Sequence, residues 1–215
     1  MKVVVYGATG KSGSRIVTEL VSRGHQVVAV SRTAASQPAQ PNVTAVNDDL
    51  SDVNKIAAII QGADAVVNAS APPFDDTDKA IGVNQRLTQA VQQVGGTAST
   101  GPRLLIVGGA GSLFVAPGVT LRDSGHLPPE WLPIVDSHIQ VLNNIRNSSI
   151  NWTYFSPAAF FEPGQRTGTF RLGKDDLIFD TAANKSHISM DDYAIAVADE
   201  LETPKHQKQR FTIGY

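Results

Sequence analysis

The sequence predicts an α/β protein built on a doubly wound parallel sheet, with a small C-terminal region that covers the substrate. Three observations carry that expectation. Short apolar runs rich in β-branched residues recur along the chain, as buried parallel strands require. They alternate with amphipathic stretches of helical period. The first run, Val3-Val4-Val5-Tyr6, turns through Gly7, Gly10 and Gly13 at G-x-x-G-x-x-G spacing into a helix whose Ile16, Leu20 and Val21 share one face.

That opening stretch reads as an anion site. Free backbone N–H groups and the helix dipole converge where a glycine turn meets a helix N-terminus. Gly7, Thr9, Gly10, Lys11, Ser12 and Gly13 are its candidate residues. Gly7 and Gly10 let the backbone approach a pyrophosphate, and Gly13 lets the helix pack close to the strand. The second strand, Gln26–Ser31, completes a βαβ unit of dinucleotide-binding length, the Rossmann arrangement. A P-loop is excluded. That motif needs a glycine five residues before Gly10, where Val5 stands inside the strand.

Length and composition narrow the class. The 215 residues make one sizeable domain, read as a nucleotide-binding core over 1–156 and a closing region over 157–215. With a formal charge of −2 and no basic stripe, nucleic acid is not an expected partner. There is no cysteine, so disulfides, thiolate metal sites and cysteine nucleophiles are excluded, and the five histidines do not cluster at ligand spacing. No metal is expected. No run reaches membrane length and no signal peptide is evident, so a cytoplasmic protein is expected, a monomer or homodimer.

After the second strand, Arg32 stands where the fold meets the adenosine ribose. A basic residue there suits a 2′-phosphate, and Lys11 can reach the same group, so NADP (NADPH) is expected in preference to NAD. A plain solvated strand end explains Arg32 too. Residues 33–42 read as a loop. Val43–Val46 is a third strand, and Asp49-Leu50 follows, able to hold an adenine edge or simply to form a turn, with Ser51 as the expected cap of a helix over 52–61. A fourth strand over 63–69 ends in Ala69, Ser70 and Ala71, small residues that leave room for a cofactor. A helix over 77–94 and a loop over 95–102 lead to a fifth strand, 103–108.

That strand runs into Gly109-Ala110-Gly111-Ser112. Substrates sit at the carboxyl ends of strands beside the switch point, which makes Gly109 a cofactor contact and Ser112 the first candidate polar group of the site. A serine bonded within its own turn is the alternative. Residues 114–127 lack periodicity and read as a cover. A helix over 128–147, started by Pro128-Pro129-Glu130, buries Ile139, Leu142 and Ile145 and puts His138 at the edge of the buried face. The sixth strand, 151–155, ends in Ser156 and Pro157, again at the carboxyl end. A hairpin over 169–172 and 177–179, a helix over 190–201 capped by Ser189, and a strand over 210–213 complete the chain.

Taken together, these stretches resemble the atypical short-chain dehydrogenase/reductases of the NAD(P)H-binding, NmrA-like kind. Among them, the small proteins described as NADH-flavin reductases, which resemble biliverdin-IXβ/flavin reductase, are most similar. The matching segments are Gly7–Gly13, Asp49-Leu50, Gly108–Leu113, Trp152–Ala158, Pro163–Gly168, Ile188–Ala194 and Arg210–Thr212. One departure stands out. The superfamily's Tyr-x-x-x-Lys is missing from the helix after the fifth strand, which instead reads Asp136-Ser137-His138-Ile139-Gln140-Val141-Leu142. The resemblance implies an NAD(P)H-dependent reductase in which Ser112 and His138 lie near the reacting rings, with His138 positioning Ser112 or shuttling a proton. A flavin or quinone-like acceptor is then a substrate and not a tightly bound group, because the cofactor carries the hydride and the protein mainly stacks the rings. Two other readings share the signature: a non-catalytic NAD(P)-sensing regulator, and a sugar-nucleotide epimerase, which needs the absent tyrosine and lysine.

Overall fold

The structure, a computed structural model, describes residues 1–36, 39–73, 76–95 and 101–215. In chain order the elements are β1 (Lys2–Tyr6), α1 (Lys11–Ser22), β2 (Gln26–Ser31), β3 (Val43–Asn47), α2 (Val53–Ile60), β4 (Ala65–Asn68), α3 (Lys79–Gln93) and β5 (Arg103–Val107). There follow β6 (Phe114–Ala116), β7 (Val119–Thr120), α4 (Leu132–Arg146), β8 (Trp152–Ser156), β9 (Phe160–Glu162), β10 (Arg171–Gly173), β11 (His187–Ser189), α5 (Met190–Glu202) and β12 (Gln209–Gly214). Eight strands form one sheet in the order β10-β12-β8-β5-β4-β1-β2-β3. All of its pairings are parallel except β10 with β12. The order reverses between β1 and β4, so the switch point lies there.

The central strands are apolar on both faces because both faces are covered. One face packs on α1 and α5 through Val3, Val5, Ile16, Leu20, Tyr193 and Val197. The other packs on α2, α3 and α4 through Val4, Ile56, Leu87, Leu104, Val141 and Leu142. The two clusters alternate along β1 with the pleat of the strand. Residues after 156 belong to the main fold: α5 packs on one face of the sheet and β12 extends its parallel part.

Several expectations are corrected. Helix α2 is capped by Asp52, whose carboxylate accepts from the amides of Asn54 and Lys55; Ser51 instead bonds Asp49. The segment after β5 contains the two-stranded ribbon β6–β7, whose residues are almost all exposed, so neither face left an apolar alternation to read. The helix expected from 128 begins as a 3₁₀ turn, Pro129–Trp131, and becomes α-helical only at Leu132. Its buried residues are Ser137, Val141, Leu142 and Ile145, while Ile139 is half-buried beneath the turn at Gly111. Residues 169–179 do not fold on themselves. Instead, β10 pairs with β12. Phe114 meanwhile exchanges backbone bonds with Asp175 and Leu177. The loops expected over 33–42 and 95–102 lie partly outside the described residues.

The Asp52 assignment predicts that Asp52→Ala lowers stability by about 1 kcal/mol. Ser51→Ala should stay within about 0.5 kcal/mol of the parent. Urea unfolding of both variants checks the pair, and equal losses would contradict the cap.

Candidate functional site

A parallel sheet delivers the carboxyl ends of its strands to one edge. Backbone bonds carry the ladder one or two residues past four of the strands and clamp the turns there to their neighbours. The Ala8 amide donates to Val30 O at 3.1 Å, Ala69 to Tyr6 O at 2.9 Å, Asp48 to Ser31 O at 3.0 Å and Gly108 to Phe155 O at 2.8 Å. The turns holding Gly7–Gly13, Arg32, Asp49-Leu50, Ala69–Ala71, Gly109–Ser112 and Ser156-Pro157 are thus gathered at that edge.

The glycine turn is set by two close approaches. Gly7 has φ +75°, and a Cβ there would lie 2.5 Å from the Ala69 carbonyl oxygen. A Cβ on Gly13 would lie 2.1 Å from the Gly7 carbonyl oxygen, closer than any side chain permits. Gly13 therefore seats α1 on β1 as expected, while Gly7 serves the contact with the end of β4. Gly10, the N-cap of α1, has no side chain to cap the helix, so the first-turn amides of Lys11, Ser12 and Gly13 are left for a ligand. Thr9 and Lys11 are exposed beside them.

Arg32 is exposed just beyond β2, and neither it nor Lys11 makes an ion pair among the described residues. Leu50 takes the left-handed conformation at φ +63° with its side chain buried. The turn is held by the Asp48 carboxylate, which accepts from the Leu50 amide at 3.1 Å, and by Arg86, which donates to Leu50 O at 2.5 Å. The Asp49 carboxylate is exposed and accepts from the Ser51 hydroxyl at 2.6 Å. At the end of β4, buried Asn68 accepts from the Ser70 amide and hydroxyl and donates to Asn84, which staples α3 to this turn.

Ser112 and His138 are both half-buried, and no hydrogen bond joins them among the described residues. The partner that Ser112 has here is Arg210, on β12, which donates from Nη1 to Ser112 Oγ at 3.2 Å. Its Nε and Nη2 bind Asp175 Oδ1 at 2.7 and 2.5 Å. Sequence reasoning missed both residues. A lone arginine among Phe211, Thr212 and Ile213 was the available signal, since a buried charge needs partners. His138 instead gives its backbone carbonyl to the Tyr154 hydroxyl at 3.0 Å, and the same hydroxyl accepts from the Gly109 amide at 3.2 Å. The His138 Nδ1 is buried without a partner among the described residues, and burial pushes the imidazole pKa down to about 4. A separate groove of about 370 Å³ lies between α3 and α4, and none of these turn residues lines it.

A family profile described as NAD(P)H-binding matches residues 7–204. The chain belongs to the NAD(P)H-binding family. It is 40% identical over 217 residues to the uncharacterized protein YwnB of Bacillus subtilis, covering 99% of this chain and 98% of that one. A solved structure from Bacteroides thetaiotaomicron, called a "putative epimerase", superposes with a TM-score of 0.89 at 42% identity, over 100% of this chain and 96% of that one. Another, from Streptococcus pneumoniae and called a "putative NADH-flavin reductase", gives a TM-score of 0.86 at 32% identity, over 100% and 99%. The chain therefore has the Rossmann oxidoreductase-type fold of the atypical short-chain dehydrogenase/reductases. No helix among the described residues is long and apolar enough to cross a membrane.

A nicotinamide dinucleotide fits what is present. The α1 N-terminus has no side-chain cap, and the hydroxyl of Ser156, at the carboxyl end of β8, is fully buried with no partner among the described residues. A ligand that meets both would satisfy donors the protein leaves open.

Because the folded protein disfavours the charged His138, the unfolded chain binds more protons between the ordinary histidine value and about 4. The contribution of His138 to stability is present above pH 6.5 and is lost as pH falls toward 4. His138→Gln should flatten the stability profile in that window, measured by urea midpoints from pH 7 to 4. An unchanged slope would place the imidazole in water.

Proposed function

We propose that the protein is an NADPH-dependent reductase that passes hydride to a flavin or a similarly planar acceptor, and that it acts in the cytoplasm. One observation carries this reading. Phe114, Val115, Val119, Trp131, Phe160, Leu172 and Phe179, seven of the eight exposed large apolar side chains among the described residues, lie on the segments that follow β5 and β8 in the chain, and Phe114 is two residues from Ser112. Exposed apolar side chains that share a surface mark a ligand or partner site, and flat aromatic rings are what an apolar rim accepts.

We assign the binding roles along the same edge. The amides of Lys11, Ser12 and Gly13 hold the pyrophosphate, with Thr9 and Gly10 lining it. Asp49 and Leu50 border the adenine, and Ala69–Ala71 leave space beside the ribose. Gly109, Ser156 and Pro157 flank the nicotinamide. Arg32 and Lys11, free of ion pairs among the described residues, take a 2′-phosphate. When bound, the dinucleotide supplies the hydride. The protein holds the acceptor, excludes water from the rings and offers Ser112 as a hydrogen-bonding group. His138, kept neutral by burial, lines the ring site and carries no charge at neutral pH.

The missing tyrosine–lysine pair favours this reading over alcohol–ketone exchange or epimerisation, both of which need a positioned acid and base. The resemblance to the S. pneumoniae protein over the whole chain supports it further. The purified protein should bind NADPH more tightly than NADH and oxidise it in the presence of FMN, FAD or riboflavin. Tight binding with no turnover of any flavin or quinone would favour a nucleotide sensor instead. Arg32→Asp should weaken NADPH about tenfold and leave NADH within about twofold, as loss of one charge-assisted contact requires. Equal losses for the two nucleotides would remove the preference.

A further inference from the structure

Arg210 is a buried cation outside the turns proposed to hold the nucleotide. Its side chain is 3% exposed, near the amino end of β12 and in register with Tyr154 of β8. Three parts of the chain meet at it: the turn after β5 through Ser112, the sheet through β12, and residues 174–180 through Asp175. Asp175 is half-exposed, so the pair is a weak source of stability for a strand that apolar residues would otherwise fill. The segment is fixed independently by backbone bonds, Phe114 N to Asp175 O at 2.8 Å and Leu177 N to Phe114 O at 2.8 Å. Asp175 is therefore held in place before it meets the guanidinium.

The direction of these bonds matters. A guanidinium only donates and stays charged at any working pH, so Ser112 Oγ must accept from Arg210. The hydroxyl's one hydrogen is then left to donate elsewhere, and no other bond of this hydroxyl is made among the described residues. A donor backed by a fixed positive charge is stronger than a free serine.

We propose that Asp175 and Arg210 are positioning residues that turn Ser112 into a one-way hydrogen-bond donor. Its target is an acceptor atom that gains negative charge as hydride arrives: a conjugated carbonyl oxygen, or a ring nitrogen conjugated to one. The inference rests on the reductase reading above and narrows its substrate class. The reduced nicotinamide is the reductant. The acceptor takes up one hydrogen with two electrons, its conjugated oxygen or nitrogen becomes anionic against Ser112, and it takes a proton from water afterwards. Saturated ketones, whose alkoxide needs a proton at once, are poor substrates; flavins and quinones are good ones.

The test is a double-mutant cycle with Ser112→Ala, Arg210→Lys and both together, with FMN as the acceptor. Lysine keeps the charge and loses the fork. Each single variant should lower kcat about tenfold to a hundredfold, in line with removal of one preorganised donor, and the double should be no worse than Ser112→Ala alone. NADPH affinity should stay within about twofold. A second readout needs no turnover: FMN affinity for the NADP⁺-loaded protein, followed by flavin fluorescence, should fall by the same factor in all three variants. Asp175→Asn leaves the arginine in place and covers the case in which Arg210→Lys does not fold; it should show a smaller loss that also vanishes in the Ser112→Ala background. Additive losses in the cycle would overturn the relay while leaving the reductase standing. No turnover of any acceptor by the parent protein would overturn both.

Discussion

The Gly7 carbonyl oxygen lies where a side chain on residue 13 would have to be, and the rest of the site depends on that contact. With nothing larger than hydrogen there, α1 seats directly on the end of β1, and its uncapped N-terminus opens at the sheet's carboxyl edge. The seat then propagates. On the far side of α1, Arg15 pairs with Asp191 at 2.7 Å, and Arg23 with Asp199 and Glu202, so the helix carries α5 with it. Burial would push the Glu19 carboxyl up, but bonds from Arg166 and Arg23 hold it below the usual carboxylate range. Buried Asp192, at the start of α5, meanwhile accepts from Thr167, Gly168 and Tyr215 and fixes the loop that reaches α1. A gap the size of one methyl group thus sets the relation of β1, α1 and the C-terminal third of the chain.

The frame was legible because burial writes itself into sequence. Strands covered on both faces are continuous apolar runs, and β1, β2, β5, β8 and β12 were readable on that basis to within a residue or two. Elements with no buried face, or too short to show a period, had no such signal. The ribbon β6–β7 is exposed, and β9 and β11 are three residues each. The expected hairpin over 169–179 failed for a related reason. Gly173-Lys174-Asp175-Asp176 has the composition of a turn, but the neighbouring backbone found better partners in β12 and Phe114, both distant in sequence. Local turn chemistry proposes a pairing, and the free edge of the sheet decides it.

The candidate site divides in the same way. Positions at the ends of strands could be named from topology alone, since a parallel sheet leaves them one place to go. The group that holds Ser112 could not. His138 was the nearer candidate along the chain, whereas Arg210 lies 98 residues away and reaches Ser112 only because β12 pairs with β8. Side chains that act on one another across a sheet leave a trace in sequence only as an anomaly, here a lone charge in an apolar strand.

That anomaly bears on how the fold can work without its usual acid. In α4 the backbone carbonyl of His138 receives the Tyr154 hydroxyl, and burial pushes that hydroxyl far above the ordinary tyrosine range. Tyr154 is therefore committed to holding Gly109 and α4 together and does not release its proton at working pH. The imidazole beside it, pushed down to about 4, holds no extra proton to give. What remains is a cation that never deprotonates, acting through a hydroxyl. Such a pair stabilises charge and cannot neutralise it, so the chemistry it suits is one whose product is a delocalised anion. The acid of the common fold and the planar acceptor are then alternatives. A substrate that spreads its own charge makes the missing tyrosine and lysine unnecessary.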